Sequence, residues 1–185
     1  DVDRGMRRRA MRRGVLLGLS LAFVSVFVVL AEDLSFGGIR AAIAREYPDV
    51  PFVAAAALET QLSGPAARRP LLLDARSTEE FAVSRLRGAT RIDPDRPDLR
   101  LGGPDRRRPI VVYCSVGYRS ARVARALLRA GYRDVRNLEG GIFAWANAGR
   151  PVYRGDRAVR DVHPYDSDWG RLLRAELRTR VPRNP

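Results

Sequence analysis

Cys114-Ser115-Val116-Gly117-Tyr118-Arg119-Ser120 is the stretch on which the fold and the chemistry turn. It follows the apolar run Pro109-Ile110-Val111-Val112-Tyr113 and precedes a segment of helical periodicity, Ser120 to Ala130. A β-rich run, a short Gly-containing loop and a helix read as strand–loop–helix. Cys114 then stands at the C-terminal end of the strand. α/β folds place ligands there, because loop N–H groups and a helix N-terminus converge. A thiol in that setting has its anionic, nucleophilic form favoured. The loop donors also form a cradle for an anionic group bound to the sulfur. Gly117 lets the loop curl without a Cβ clash, and Arg119 adds a positive charge at the rim. The alternative is a buried structural cysteine, since a free Cys often packs as a small hydrophobe.

Loop length separates two reaction classes. A tyrosine-phosphatase loop needs Cys-x5-Arg, whereas Cys114 to Arg119 is Cys-x4-Arg. The shorter loop encloses a smaller pocket, suited to a single persulfide sulfur rather than a phosphoryl group. Phosphatase chemistry stays open as the weaker alternative.

Upstream, Leu71-Leu72-Leu73 reads as a short buried strand closed by Asp74-Ala75-Arg76. Ser77-Thr78-Glu79-Glu80 is a capping-box pattern, with Ser77 at N-cap and Glu80 at N3. Downstream, Val123, Ala124, Leu127 and Leu128 share one face of the predicted helix, with Arg122, Arg125 and Arg129 opposite. Asp134 to Leu138 is a further strand. A final helix follows Glu139-Gly140-Gly141 and carries Trp145, a core position, before Gly149-Arg150-Pro151-Val152. Asp93 to Arg108, rich in Asp, Pro and Gly, reads as a surface loop. Strands alternating with helices imply a mostly parallel sheet flanked by helices on both faces, an α/β fold.

The block LLLDARSTEEFAVSRLRGATRI over 71–92, the six-residue loop Cys114 to Arg119 and the Gly140-Gly141…Trp145 segment together resemble the rhodanese family of sulfurtransferases. The resemblance covers about residues 47–153, and the six-residue loop has the length seen in the family's single-domain thiosulfate sulfurtransferases. It departs from the family at Ser84-Arg85, where Gly-His is usual. It implies that Cys114 is the nucleophile and that Ser115, Val116, Gly117, Tyr118, Arg119 and Ser120 bind the substrate. It also implies that Asp74 and Arg76 support the loop, their alternative role being a structural ion pair. The implied reaction takes a sulfane sulfur from a small anionic donor such as thiosulfate onto Cys114. A thiol or cyanide-like acceptor then removes it. Rhodanese domains that act as docking or sulfur-carrier modules with little turnover supply a second reading.

Composition narrows the partners. All 34 basic residues are Arg, against 21 acids, for a formal charge of +13. Arg is spread along the chain rather than gathered in a stripe, so a nucleic-acid partner is not expected. With one cysteine, no intramolecular disulfide and no resolving thiol exist, and an external acceptor must discharge any covalent intermediate. One Cys and one His cannot build a zinc site. Neither metal nor cofactor is expected.

Residues 1–13 hold six Arg and precede Gly14 to Ala31, 18 residues without a charge. At about 1.5 Å per residue the run reaches roughly 27 Å, against a bilayer core of about 30 Å. It reads as a transmembrane signal anchor with the N-terminus inside and the remainder extracytoplasmic (periplasmic). A cleaved signal peptide ending near Val29-Leu30-Ala31 and a buried core helix are the alternatives. Residues 32–48 read as a linker helix carrying Leu34, Ile39, Ala42, Ile43 and Tyr47. Residues 49–153 form the catalytic domain, and 154–185 a tail. Within the tail, Trp169, Leu172, Leu173 and Leu177 are spaced for one helical face, and His163 is a minor candidate for acid–base work.

Overall fold

The computed structural model describes residues 35–103 and 105–179. The anticipated membrane anchor at 14–31 lies outside these residues. Among the described residues, no helix is long and apolar enough to cross a membrane.

Five strands form one all-parallel sheet: β1 (Phe52–Val53), β2 (Leu71–Asp74), β3 (Thr90–Arg91), β4 (Ile110–Tyr113) and β5 (Val135–Leu138). Their spatial order is β1-β5-β4-β2-β3. The central strand, β4, is buried along its whole length, which explains its uninterrupted apolar sequence. It pairs with β2 from Leu71↔Ile110 to Asp74↔Tyr113, and with β5 from Ile110↔Val135 to Val112↔Asn137. From β2 the chain moves outward to β3, whereas from β4 it moves the other way to β5. The carboxyl ends of β2 and β4 therefore flank the switch point where open α/β sheets form their crevice.

The helices are α1 (Phe36–Glu46), α2 (Ala55–Ser63), α3 (Thr78–Val83), α4 (Tyr118–Arg129) and α5 (Gly141–Asn147). The expected capping box is present at α3: Ser77 Oγ accepts the Glu80 N–H, and the Glu80 carboxylate accepts the Ser77 N–H. In α4, Ala121, Val123, Ala124 and Leu127 are buried, as its apolar stripe requires. Trp145 is buried as well.

Two segments differ from the sequence expectation. The helix anticipated as a linker, α1, is built into the core through buried Ile39 and Ile43, and belongs to the same compact unit as the sheet. Side-chain spacing alone cannot tell a spacer helix from one whose stripe meets a sheet. The tail does not form one α-helix. A hairpin of β6 (Val152–Arg154) and β7 (Arg157–Val159) turns over Gly155-Asp156, and two 3₁₀ turns follow, at Trp169–Leu172 and Ala175–Leu177. Leu173 leaves the first turn extended (φ −92°, ψ 135°) and is fully buried, so reaching the core breaks the helix there.

Candidate active site

Cys114 follows the last residue of β4 and is buried. The loop after it rises into α4, whose N-cap is Gly117 at φ 118°. This turn brings the Gly117 N–H to 3.1 Å from Cys114 Sγ. A Cβ at position 117 would stand 3.0 Å from Ile43 Cδ1 besides requiring the left-handed conformation. Glycine is therefore needed for the turn, and the Ile43 side chain of α1 packs close against it.

The Ser120 hydroxyl is 3.5 Å from Cys114 Sγ and 2.7 Å from Asn137 Oδ1. Asn137, in β5, donates from Nδ2 to the Gly117 carbonyl at 3.0 Å, which turns its Oδ1 towards Ser120. A hydroxyl has a single proton. Ser120 can give it to Asn137 while the sulfur is protonated and swing it to the sulfur when the sulfur carries charge. Asn137 is fully buried in a strand and positions both partners.

The loop is held from behind by the start of α5. The N–H groups of Ile142 and Phe143 donate to the carbonyls of Cys114 and Ser115 at 2.9 and 3.1 Å. A Cβ on Gly141 would collide with those carbonyls, which accounts for the second glycine of the Gly140-Gly141 pair.

From the front the loop is held by Glu80. Its carboxylate accepts from Arg119 Nη1 at 2.7 Å, Arg119 Nη2 at 2.8 Å, Ser115 Oγ at 2.8 Å and the Ser77 N–H at 2.9 Å. Burial pushes the Glu80 carboxyl up. The hydrogen bonds and charge of Arg119, with Ser77 and Ser115, outweigh it and hold the group at about 2. Arg119 stands at the rim, the place the sequence reading gives its positive charge. Its guanidinium is engaged there in a bidentate ion pair, with the Tyr165 ring 4.8 Å from its central carbon.

A pocket of about 140 Å³ opens on this loop. Its lining joins Cys114, Ser115, Val116, Tyr118 and Arg119 to two tail residues, Tyr165 and Trp169. A buried sulfur with a backbone donor on it and a small cavity in front suits a nucleophile that holds a small group. Among the described residues, no cluster of His, Cys, Asp and Glu could hold a metal ion.

Residues 54–148 match the family described as the Rhodanese-like domain. The chain belongs to the rhodanese-like family. A sulfurtransferase of Allochromatium vinosum is 35% identical over 82 residues, 44% of this chain and 77% of that protein. A thiosulfate sulfurtransferase of Actinobacillus succinogenes is 33% identical over 82 residues, 44% of this chain and 74% of that protein. Among solved structures, a thiosulfate sulfurtransferase of Pseudomonas aeruginosa superposes with a TM-score of 0.54 at 25% identity. That match covers 67% of this chain but only 24% of the other.

Within this rhodanese-like domain the remaining expected residues take supporting places. Asp74 and Arg76 form a wholly buried pair, Nε to Oδ1 at 2.8 Å and Nη2 to Oδ2 at 2.6 Å. Arg76 Nη2 also donates to the Ser84 carbonyl at 2.6 Å. Neither lines the pocket; together they fix the crevice end of β2 beside Tyr113, the residue before Cys114. Gly117 and Ser120 act from behind the pocket wall rather than in it. Arg85, at the departure from the family pattern, bridges Tyr153 of the β6 strand. His163 does not line the pocket either: burial lowers its pKa, and its Nδ1 accepts the Tyr165 N–H at 3.0 Å.

Four site residues went unrecognised in the sequence. Glu80 was accounted for as a helix cap and Trp169 as one position of a helical stripe. Asn137 carried one readable signal, a residue of low β-propensity inside a strand. Tyr165 carried none.

Proposed function

We propose that the chain is a sulfurtransferase working through a persulfide on Cys114. The Cys114 thiolate attacks the outer sulfur of a donor such as thiosulfate. A Cys114 S–S bond forms as the donor S–S bond breaks, and sulfite leaves with the electron pair. An acceptor thiolate or cyanide then attacks the outer sulfur of the persulfide, and Cys114 regains its thiolate. This is double-displacement covalent catalysis. The observation that carries the reading is the Gly117 N–H at 3.1 Å and the Ser120 hydroxyl at 3.5 Å from a sulfur that lines a small pocket. The fixed Gly117 N–H and the rotatable Ser120 hydroxyl favour negative charge on Cys114 as it forms and departs. Arg119, Glu80 and Ser115 keep the loop in shape, and Asp74 with Arg76 fixes the neighbouring strand end.

Mass spectrometry of the protein after thiosulfate treatment tests this. One added sulfur atom on Cys114 is expected, removed by cyanide. Cys114→Ser should take up no sulfur, and transfer by that variant at about a tenth of the parent rate or more would sink the persulfide mechanism.

We further propose that residues 14–31 anchor the domain outside the cytoplasm, on the strength of the 18-residue uncharged run behind six Arg. Protease added to intact spheroplasts should degrade the domain while cytosolic controls survive. A fully protected domain would return the function to the cytoplasm, and a soluble product beginning near Glu32 would show a cleaved signal peptide.

A further inference from the structure

The match to the family ends at residue 148, yet part of the pocket wall comes from beyond it. Tyr165 and Trp169 are held there by a dedicated framework. Val162, Leu173 and Leu177 are buried and pin the tail to the domain. Asn147 of α5 donates to the Leu172 carbonyl at 2.7 Å and accepts the Arg174 N–H at 2.9 Å. Asp166 Oδ1 accepts the N–H groups of Asp168 and Trp169 at 2.9 and 2.8 Å. Tyr165 itself sits at φ 69°, a left-handed conformation that bulky residues rarely adopt. At 46% exposure it is the one exposed large apolar side chain among the described residues. Strain kept at an exposed aromatic next to a reactive sulfur points to what enters the site. Trp169 packs edge-on against Tyr118, ring centres 6.0 Å apart, so three aromatic residues border the mouth.

Charge supports the same direction. Arg119 is the charged residue of the pocket lining, and both its terminal nitrogens are bonded to Glu80. The mouth therefore offers aromatic surface, with the Arg119 guanidinium against one side of the Tyr165 ring, and a neutralised pair rather than a free cation.

We infer that residues 160–179 are a specificity element. Tyr118, Tyr165 and Trp169 select, as sulfur acceptor, an organic thiol bearing an apolar ring over a bare inorganic acceptor such as cyanide. This rests on the sulfur-transfer reading above. The acceptor thiolate attacks the outer sulfur of the Cys114 persulfide; its new S–S bond forms as the Cys114 S–S bond breaks, and the electron pair returns to Cys114. The ring substituent lies against the aromatic side chains during that step.

The full chain is loaded with thiosulfate, and discharge of the persulfide is timed with benzyl thiol and with cyanide. In Tyr165→Ala and in Trp169→Leu, the ratio of the two rates is expected to fall by about fivefold or more. A smaller fall in both variants overturns the inference. Alkylation of Cys114 supplies a readout that needs no sulfur transfer. The rate with an N-benzyl iodoacetamide relative to iodoacetamide itself should fall by the same factor. A chain that takes up no sulfur but shows the alkylation effect keeps the aromatic selection and loses the sulfurtransferase reading. A chain that loads normally while neither ratio moves does the reverse.

Discussion

Two bidentate Arg–carboxylate pairs flank the crevice between β2 and β4, one side-on through Nε and Nη2 of Arg76 and one end-on through Nη1 and Nη2 of Arg119, and their surroundings differ. Asp74–Arg76 is sealed, with both side chains 0% exposed, and it bonds the Ser84 carbonyl and packs against the Tyr113 ring. Glu80–Arg119 spans 39 residues, with Glu80 2% and Arg119 24% exposed, and it borders the pocket. The sealed pair has no outlet to ligand and serves the sheet. The pocket pair joins the α3 cap to the Cys114 loop, so the same ion-pair chemistry there sets the shape of a reactive site. Burial fixes how much each pair matters to folding, and connectivity fixes whether it matters to chemistry.

The largest effect is expected at the sealed pair. Asp74→Ala leaves a buried guanidinium without its carboxylate, and Arg76 Nη1 already has no partner. Breaking such a pair from one side costs roughly 3–5 kcal/mol. Urea denaturation should show that loss. A loss below about 1 kcal/mol would place the pair with ordinary surface ion pairs and dissolve the contrast.

Glu80 comes next, and pH isolates it. Its folded carboxyl lies at about 2, against about 4.3 in an unfolded chain. The folded value is depressed, so the contribution is fully present above the unfolded value and is lost as pH falls from there through the folded one. The difference corresponds to roughly 3 kcal/mol. Glu80→Gln should flatten the stability profile between about pH 4.3 and 2 and lower sulfur transfer at neutral pH. Parallel acid profiles for parent and variant would show that Arg119 does not stabilise this carboxylate.

The contrast between the pairs also marks how far the sequence could be read. The strand–loop–helix at Cys114, the capping box at Ser77 and the core place of Trp145 follow from local pattern, because each depends on neighbours in the chain. The bond from Glu80 to Arg119 does not. A capping box already explains a glutamate at N3, so its second partner leaves no trace in the local pattern. The role of α1 was hidden for a related reason: Ile43 has helical spacing whether it links or packs, and only the fold sets it against Gly117. In the tail, Trp169, Leu172, Leu173 and Leu177 do have helical spacing. Burial of Leu173 in extended conformation overrides it, and the β6–β7 strands are too short to give a periodic signal.

The smallest effect, and the finest test of the contrast, is Arg119→Lys. Lysine keeps the positive charge but replaces a planar fork with a single ammonium. It can meet one Glu80 oxygen and cannot also reach Ser115 in the geometry Arg119 uses, Nη2 to Oγ at 3.0 Å. Because the Arg119 side chain is partly exposed, the expected stability loss is about 1 kcal/mol, below that for either carboxylate. Kinetics separate the two roles open to the residue. If Arg119 shapes the loop, the variant loses transfer from thiosulfate and from a neutral organic donor by the same factor, because both donors need the same sulfur position. If its charge draws in the donor, lysine preserves thiosulfate use, and KM for thiosulfate stays near that of the parent. Engagement of both terminal nitrogens by Glu80 predicts the equal loss. Retained thiosulfate turnover alongside a weakened neutral donor would make the pocket pair a binding device and end its likeness to Asp74–Arg76.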